Sequence, residues 1–384
     1  MAVPDRLPIA VVGGGLGGTV AAILLEQAGY DVRLYEQTPK LARIGAGINL
    51  SSNATRVIQR CGLLERMTRQ ALLPDRFDQR EWNTGEFTFV LRYDEFPGRY
   101  GAPHVIMHRG DLQVLLNSGL EPGTLALGKQ LIDLDERADR VVLIFSDGSR
   151  AEAEFVIGAD GINSRVRELL LGPETPVYTG HVAHRAIFPA GRVEGLRLAD
   201  ACKWWAEDRY FLHYYLTSKR DELYIVTGAP IAWDGDDFTP KPTGPQELRE
   251  LFEGFHPDVQ RTIDACPEGC SVTWPVLFRD PRPCWSDGRV VLLGDACHPM
   301  KPHMGQGACM AMEDAAMLVR CLEHCDGDFR TAFQLYEAQR FERTTRVKLE
   351  SDKHEWMRYG SVCDWLYGYD VFSVPITAPE SALT

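Results

Sequence analysis

The chain has 384 residues, of which 45% are hydrophobic, and its formal net charge at pH 7 is −13. A chain of this length is larger than one ordinary hydrophobic core, so we expect it to form two domains. The acidic balance argues against nucleic acid and against an anionic membrane as partners, because both repel a negatively charged surface.

The N-terminal part of the chain opens with a strand–helix–strand pattern. The apolar run at 9–12 predicts a buried strand, a helix is expected from 19 to 28, and 31–35 predicts a second strand. Farther along, apolar periodicity and glycine stops predict helices at 53–61 and 108–117 and strands at 141–145 and 155–158.

The middle of the chain changes in character. Residues 182–229 are rich in Trp, Tyr and β-branched side chains, which is typical of antiparallel strands and predicts a second domain. A helix is expected at 246–255, after a proline-rich polar stretch. The last part of the chain predicts a strand at 289–293, long helices at 307–324 and 329–349, and a loose tail.

A glycine-rich turn joins the first strand to the first helix. The spacing Gly13-x-Gly15-x-x-Gly18 supplies one glycine for a tight turn, one for close approach of a pyrophosphate and one for helix packing. The helix N-terminus offers free N–H groups to phosphate, and Glu36 ends the second strand, where a carboxylate can accept hydrogen bonds from ribose. This fingerprint predicts a bound dinucleotide without distinguishing FAD from NAD.

Two further motifs follow farther along the chain. One is Gly158-Ala159-Asp160-Gly161, and the other runs from Gly294-Asp295 through His298-Pro299 to Gly305-x-Gly307. Together with the fingerprint, in this order and spacing, they resemble the flavoprotein aromatic hydroxylases, the single-component FAD monooxygenases related to p-hydroxybenzoate and salicylate hydroxylase. The resemblance extends from residue 9 to about residue 346.

This resemblance implies an α/β fold of the p-hydroxybenzoate hydroxylase type, with a Rossmann-like FAD-binding domain, a second β-sheet substrate domain and C-terminal helices. We assign 1–75, 101–178 and 272–345 to the discontinuous FAD-binding domain. The substrate domain then comprises 76–100 and 179–271, and 346–384 form a C-terminal helical stretch and tail.

The resemblance also implies the contacts with FAD. Asp295 would bind the ribityl chain, the loop 302–307 would lie along the isoalloxazine, and Asp160 would lie near the pyrophosphate and nicotinamide. A helix N-terminus beside the flavin stabilises the negative charge of its reduced form. No metal site is expected. The predicted cofactor-binding residues are Gly13, Gly15, Leu16, Gly18, Glu36, Arg43, Ala46, Gly47, Arg109, Asp160, Asp295, Pro302, Gly305, Gly307 and Ala308.

The chain carries one dinucleotide fingerprint, whereas a flavoprotein of the disulfide-reductase type would carry a second one for the nicotinamide cofactor. Aromatic hydroxylases bind NAD(P)H without a separate domain, which fits a single fingerprint. We therefore predict NADH or NADPH and O2 as co-substrates. The sequence leaves open the choice between the two nicotinamides and the oligomeric state.

In this family, reduced flavin takes up O2 as a C4a-hydroperoxide, which reacts with an electron-rich phenolate or hydroxypyridine anion in a dry pocket. The runs at 203–209, 214–215 and 294–304 resemble more narrowly the branch that acts on hydroxypyridine carboxylates, the 6-hydroxynicotinate 3-monooxygenases. That branch implies a small aromatic acid substrate, which is hydroxylated with loss of its carboxyl group. It implies His303 and Tyr214 as catalytic residues and Asn49, Tyr210, Tyr214 and His303 as substrate-binding residues.

The chain departs from this branch at Asn49 and Tyr210, which stand where the branch carries histidines, so the mode of carboxylate binding stays open. The alternatives are a salicylate-type hydroxylase, another hydroxypyridine or hydroxybenzoate hydroxylase, and an FAD epoxidase acting on a larger substrate. Strand alternation places His213 on the face opposite Tyr210 and Tyr214, where we expect a half-exposed histidine without a chemical role.

The location of the protein is predicted from what its chain lacks. No apolar run reaches the length of about 18 residues that crosses a membrane, and the first ten residues contain two prolines instead of a signal-peptide pattern. The ten cysteines are expected to be reduced thiols. We therefore expect a cytoplasmic protein.

Overall fold

The computed structural model describes residues 7–43, 46–235, 237–353, 358, 360 and 362–377. Its strands, in chain order, are β1 (Ile9–Val12), β2 (Val32–Glu36), β3 (Gly47–Leu50), β4 (Arg76–Glu81), β5 (Phe87–Arg92), β6 (Val105–His108), β7 (Leu125–Leu127), β8 (Leu131–Glu136), β9 (Val141–Phe145), β10 (Arg150–Ala153), β11 (Val156–Gly158), β12 (Val177–Pro189), β13 (Ala201–Trp205), β14 (Tyr210–Tyr215), β15 (Glu222–Pro230), β16 (Lys241–Thr243), β17 (Ser271–Phe278), β18 (Ser286–Asp287) and β19 (Val290–Leu292).

The helices are α1 (Leu16–Gln27), α2 (Ser52–Arg60), α3 (Leu64–Thr68), α4 (Phe96–Tyr100), α5 (Arg109–Asn117), α6 (Arg165–Leu171), α7 (Pro245–Leu251), α8 (Pro257–Ala265), α9 (Gly307–His324), α10 (Phe329–Asp352) and α11 (Asp364–Tyr367). Short 3-10 turns lie at Ala190–Val193, Gly294–Ala296 and Pro302–Met304.

The first domain is built on a six-stranded sheet with the order β18-β19-β11-β1-β2-β7. All neighbours except the β18–β19 pair run parallel, and the central strands are runs of Val, Ile and Leu, as expected where helices cover both faces. Parallel strands end at the same edge of a sheet. Gly13 after β1, Asp160 after β11 and Asp295 after β19 therefore come to one edge, which explains how three distant motifs form one site.

The second domain is an eight-stranded sheet with the order β16-β17-β12-β15-β14-β13-β4-β5. Its pairs are antiparallel apart from β13 and β4, which run parallel. The strand β17 pairs with β12, so it lies in this sheet, although the sequence analysis assigns residues from 272 onward to the FAD-binding domain. Local composition marks a strand but does not state which sheet it joins.

The predicted α/β fold with a second β-sheet domain is confirmed, and α9 has the predicted bounds. The helix α1 begins three residues earlier than expected, so that Gly17 and Gly18 lie within it. Gly17 allows close packing against α9, since a Cβ there would lie 2.9 Å from the Cβ of Ala311. The helix expected at 246–255 ends at Leu251, and a separate helix begins at Pro257, a residue that suits a helix start.

The prediction of a half-exposed His213 is wrong. Its side chain is 1% exposed, because α7 and α8 cover the face of the sheet opposite Tyr214 with a second hydrophobic cluster. The sequence showed the alternation of the strand but not the helices that close over it. No helix in the described part of the chain combines the length and apolar character needed to span a bilayer.

Candidate active site

The glycine turn after β1 requires glycine for steric reasons at two positions. Gly13 has φ +107°, and a Cβ there would lie 2.4 Å from the carbonyl oxygen of Ala159. A Cβ on Gly18 would lie 2.1 Å from the carbonyl oxygen of Gly13. A Cβ on Gly15, in contrast, would meet no atom within 4 Å. Gly13 and Gly18 are therefore required to build the turn, and Gly15 leaves space beside the free N-terminus of α1 for a ligand.

The carboxylate of Glu36 holds this turn in place. It accepts hydrogen bonds from the N–H groups of Gly14 and Thr38, each at 2.8 Å. A carboxylate has about four acceptor positions, so two remain for the hydroxyl groups of a ribose. Glu36 thus stays a predicted cofactor-binding residue, with an additional structural role that the sequence did not indicate.

Asp295 lies at the end of β19, beside the N-terminus of α9. Its side chain is open to the cavity that it lines, yet the surrounding protein raises the pKa of its carboxyl group, and the cation of Arg109 acts in the opposite direction. The carboxylate accepts no hydrogen bond from any described residue. A carboxylate with free acceptors facing a cavity suits the hydroxyl groups of a ribityl chain.

Two predicted cofactor-binding residues have partners within the protein. The carboxylate of Asp160 accepts hydrogen bonds from the N–H groups of Arg165 at 2.7 Å and Val166 at 3.0 Å, so it caps the start of α6. The guanidinium of Arg43 binds Asp111 at 2.7 Å and also Glu222, which ties the two domains together and raises the pKa of this arginine. Neither residue lines the central cavity.

The central cavity lies between the two domains and has a volume of about 330 Å³. Its walls come from the strand β3, from the segment at 300–308 and from the inner face of the eight-stranded sheet. The predicted site residues that line it are Ala46, Gly47, Asn49, Arg109, Tyr210, Tyr214, Asp295, Pro302, His303, Gly305, Gly307 and Ala308. The predicted residues Gly13, Gly15, Leu16, Gly18 and Glu36 lie at the glycine turn, outside this lining.

Aromatic rings form the part of the cavity wall that belongs to β14. Tyr210, Leu212 and Tyr214 line the cavity while the intervening residues do not, as strand alternation predicts. The ring of Tyr210 meets His303 edge to face at 5.9 Å between centroids. Lys301, the neighbour of His303 in the sequence, lies outside the lining, and its ammonium group is 3.6 Å from Asp352.

A polar chain, which the sequence did not indicate, runs behind Tyr214. The amide of Asn49 interacts with the Tyr214 hydroxyl, and its Oδ1 lies 3.2 Å from Nε2 of His104. The imidazole of His104 stacks on Tyr93 at 3.6 Å, and burial lowers its pKa to about 3. A neutral imidazole therefore stands behind Asn49, which itself occupies the position where the resembled branch carries a histidine. His104 immediately precedes β6, the strand that pairs with β3. No motif marks His104, which only the β3–β6 pairing places here.

The comparisons with known proteins agree with this geometry. The family described as "FAD binding domain" matches residues 6–226 and 273–347 of the chain. The chain belongs to this family. It is 49% identical to a 6-hydroxynicotinate 3-monooxygenase of Bordetella bronchiseptica, covering 97% of this chain and 98% of that protein. It is 47% identical to one of Pseudomonas fluorescens, covering 97% of each.

The chain also matches solved structures. A structure described as a salicylate hydroxylase substrate complex matches with a TM-score of 0.82 and 26% identity, covering 97% of each chain. The residues of this chain fit FAD: the space at Gly15, the free N-terminus of α1 and the unpartnered Asp295 carboxylate match a pyrophosphate and a polyol chain. The prediction of FAD is confirmed.

The substitution Tyr214→Phe is expected to lower kcat/KM for the aromatic substrate by about 10- to 100-fold. This is the factor expected when one hydrogen bond to a charged substrate is lost. FAD content should not change, because the phenyl ring keeps its packing 5.1 Å from Tyr224. Steady-state kinetics and the flavin spectrum measure the two effects. Tyr215→Phe, on the next residue of β14 and outside the cavity lining, is the matched control; equal effects of both variants would contradict a role for Tyr214.

Proposed function

We propose that this protein is an FAD monooxygenase that uses NAD(P)H and O2 to hydroxylate 6-hydroxynicotinate at ring position 3. The observation that supports this substrate most directly is the identity of 47 to 49% over nearly the whole chain with two proteins of that name. The cavity supports a compact flat ring, since aromatic side chains line it and the two domains enclose it.

The proposed reaction involves loss of the carboxyl group. Position 3 of 6-hydroxynicotinate carries the carboxylate, so an oxygen atom placed there must displace it as CO2. The acid, NAD(P)H, a proton and O2 are consumed, and 2,5-dihydroxypyridine, CO2, NAD(P)+ and water are formed. One oxygen atom enters the ring and the other becomes water, reduced by the two electrons of the nicotinamide.

Bound FAD would supply the electron transfer and the oxygen activation, which no side chain provides. The residues of the chain bind the acid, orient it and exclude water. We propose that His303 hydrogen-bonds the ring hydroxyl of the substrate or accepts its proton, and that Tyr214 holds a substrate oxygen atom. Burial raises the pKa of Tyr214 well above its usual value, so this phenol stays neutral and donates a hydrogen bond to the substrate oxygen.

Location and co-substrate complete the proposal. We place the reaction in the cytoplasm, where NADH and NADPH are available and thiols stay reduced. None of the ten cysteines of the chain forms a disulfide in the structure, which fits this environment.

The proposal is tested with the FAD-loaded protein by measuring NADH and NADPH oxidation with 6-hydroxynicotinate and, separately, with salicylate. We expect strong stimulation by the pyridine acid, 2,5-dihydroxypyridine as the product and little hydrogen peroxide. Stimulation by salicylate alone would replace the proposed substrate by a benzene acid. Peroxide in place of a hydroxylated product would mean that neither compound is the substrate.

A further inference from the structure

A buried lysine faces the central cavity with no carboxylate beside it. Lys203 lies on β13 and is 5% exposed. Its ammonium group lies 3.7 Å from the ring centre of Trp205 and 3.9 Å from that of Tyr210, so it is held between two aromatic faces. It forms no ion pair with a described residue, and burial lowers its pKa to about 7. A buried cation without a counter-ion is costly unless a ligand supplies one.

A second donor without a partner stands next to this lysine. Gln79, on β4, pairs with Lys203 across the parallel β13–β4 ladder and is fully buried. Its Oε1 accepts a hydrogen bond of 2.8 Å from Nε1 of Trp205, which fixes the orientation of the amide. Its Nε2 has no hydrogen-bond partner among the described residues, although the side chain lines the cavity. The cavity thus contains an ammonium group and an amide N–H on adjacent strands, both without acceptors.

We propose that Lys203 and Gln79 form the subsite that binds the carboxylate of the aromatic acid substrate. A carboxylate has two oxygen atoms that accept hydrogen bonds, and two neighbouring donors of which one is cationic match it. Tyr210 connects this subsite to His303, since its ring lies against both. The subsite also explains how the chain binds an acid although Asn49 and Tyr210 replace histidines.

Arg185 is the other cation of the eight-stranded sheet that lines the cavity. Its guanidinium lies 5.3 Å from the ring centre of Trp274, an indole that is 41% exposed. Arg185 is half-buried, and its Nε is also a buried donor without a hydrogen-bond partner among the described residues, whereas the whole of Lys203 is only 5% exposed. A carboxylate gains more from the enclosed cation, because the lower local dielectric strengthens the pair. We therefore assign the carboxylate to Lys203.

This inference rests on the proposed function, and its test measures binding instead of turnover. Calorimetry of the FAD-loaded protein, without NAD(P)H, compares 6-hydroxynicotinate with its neutral isostere 6-hydroxynicotinamide. Lys203→Met is expected to weaken binding of the acid at least about tenfold and to change binding of the amide less than about threefold. Lys241→Met is the matched control, because Lys241 also lies on an indole, 4.4 Å from Trp233, but outside the cavity lining.

The pH dependence provides a second readout. Only the ammonium form of Lys203 attracts the acid, so the dissociation constant of the wild type should rise up to tenfold per pH unit above about 7. Burial raises the pKa values of Tyr210, Tyr214 and Tyr224, so these phenols stay neutral between pH 6 and 9. The other titratable or charged groups of the cavity wall are Tyr93, His104, Arg109, Arg185, Asp295, His303 and Tyr367. Lys203→Arg keeps a permanent cation at the subsite and should bind the acid with a flat profile above pH 7.

Each outcome decides the proposal. The proposal would be overturned if Lys203→Met weakened binding of the acid and of the amide equally, or left binding of the acid unchanged. It would also be overturned if the dissociation constant of Lys203→Arg for the acid still rose with pH above 7. If the wild type binds salicylate and not 6-hydroxynicotinate, the proposed substrate fails while the subsite stays testable with salicylate and salicylamide. Loss of binding of the acid alone would then support the carboxylate subsite independently of the substrate.

Discussion

Gly13→Ala is expected to yield a protein that retains no FAD and unfolds more readily than the wild type. The new methyl carbon would lie 2.4 Å from the carbonyl oxygen of Ala159 and 2.8 Å from the Cα of Asp160, at a backbone φ of +107° that side chains rarely adopt. Both neighbours are backbone atoms at the end of β11, so the turn cannot relieve the clash without moving a central strand. Flavin absorbance after gel filtration and thermal unfolding of the apoprotein measure the two effects.

Two further glycine variants separate the causes of this loss. Gly15→Ala introduces a Cβ that meets no protein atom within 4 Å, so the apoprotein should keep its stability while FAD binding falls steeply. Gly29→Ala is the control for the backbone effect alone, because Gly29 has φ +88° and a Cβ there would meet no atom within 4 Å. It should lower the free energy of unfolding by about 1 kcal/mol and leave FAD binding unchanged. Normal FAD retention in Gly15→Ala would contradict the assignment of the pyrophosphate to this turn.

Arg340→Met is expected to lower the free energy of unfolding by about 3 kcal/mol, because two buried carboxylates lose one of the cations that neutralise them. Arg340, Glu313 and Asp314 are all fully buried, and the guanidinium lies 2.6 Å from each carboxylate. Arg343 still neutralises Glu313 in the variant, and Asp314 keeps His298. Urea unfolding of the holoprotein at neutral pH measures the change.

The carboxyl groups in this cluster set the pH dependence of the same variant. In the wild type the pKa values of Glu313 and Asp314 are lowered by their cations, so the stabilisation is present at neutral pH and is lost as the pH falls below the ordinary carboxyl range of about 4. The difference in free energy of unfolding between the wild type and Arg340→Met should therefore become smaller at acidic pH. Arg92→Met, which breaks an exposed pair with Asp94, should produce no measurable change. A stable Arg340→Met protein would show that the cluster contributes little.

The cofactor half of the site was predictable from the sequence because its chemistry depends on backbone geometry. Glycines at fixed spacing and an aspartate at a strand end are local features, and parallel strands bring their ends to one edge wherever they lie in the chain. For this reason Gly13, Gly15, Gly18 and Asp295 appear in the structure where the motifs predicted them. Arg43 and Asp160 were also predicted for the cofactor, but their partners lie within the protein, and no motif indicates such partners.

The substrate half depends on long-range pairing, which no local pattern encodes. Lys203 reaches Gln79 through a parallel ladder between strands more than 100 residues apart, and His104 reaches Asn49 through the β3–β6 pair. A lysine next to two tryptophans was a signal in the sequence, since charged residues are rarely buried among apolar neighbours without a purpose. Alternation along β13 would have placed Lys203 and Trp205 on one face.

The loss of the carboxyl group separates the proposed reaction from ordinary ring hydroxylation. The most direct measurement uses 6-hydroxynicotinate labelled at the carboxyl carbon and compares released CO2 with the NAD(P)H consumed by the FAD-loaded enzyme. The account predicts one labelled CO2 for each molecule of 2,5-dihydroxypyridine formed and, when little peroxide appears, for each NAD(P)H oxidised. A hydroxylated product that retains the label, or NAD(P)H consumption without labelled CO2, would contradict it.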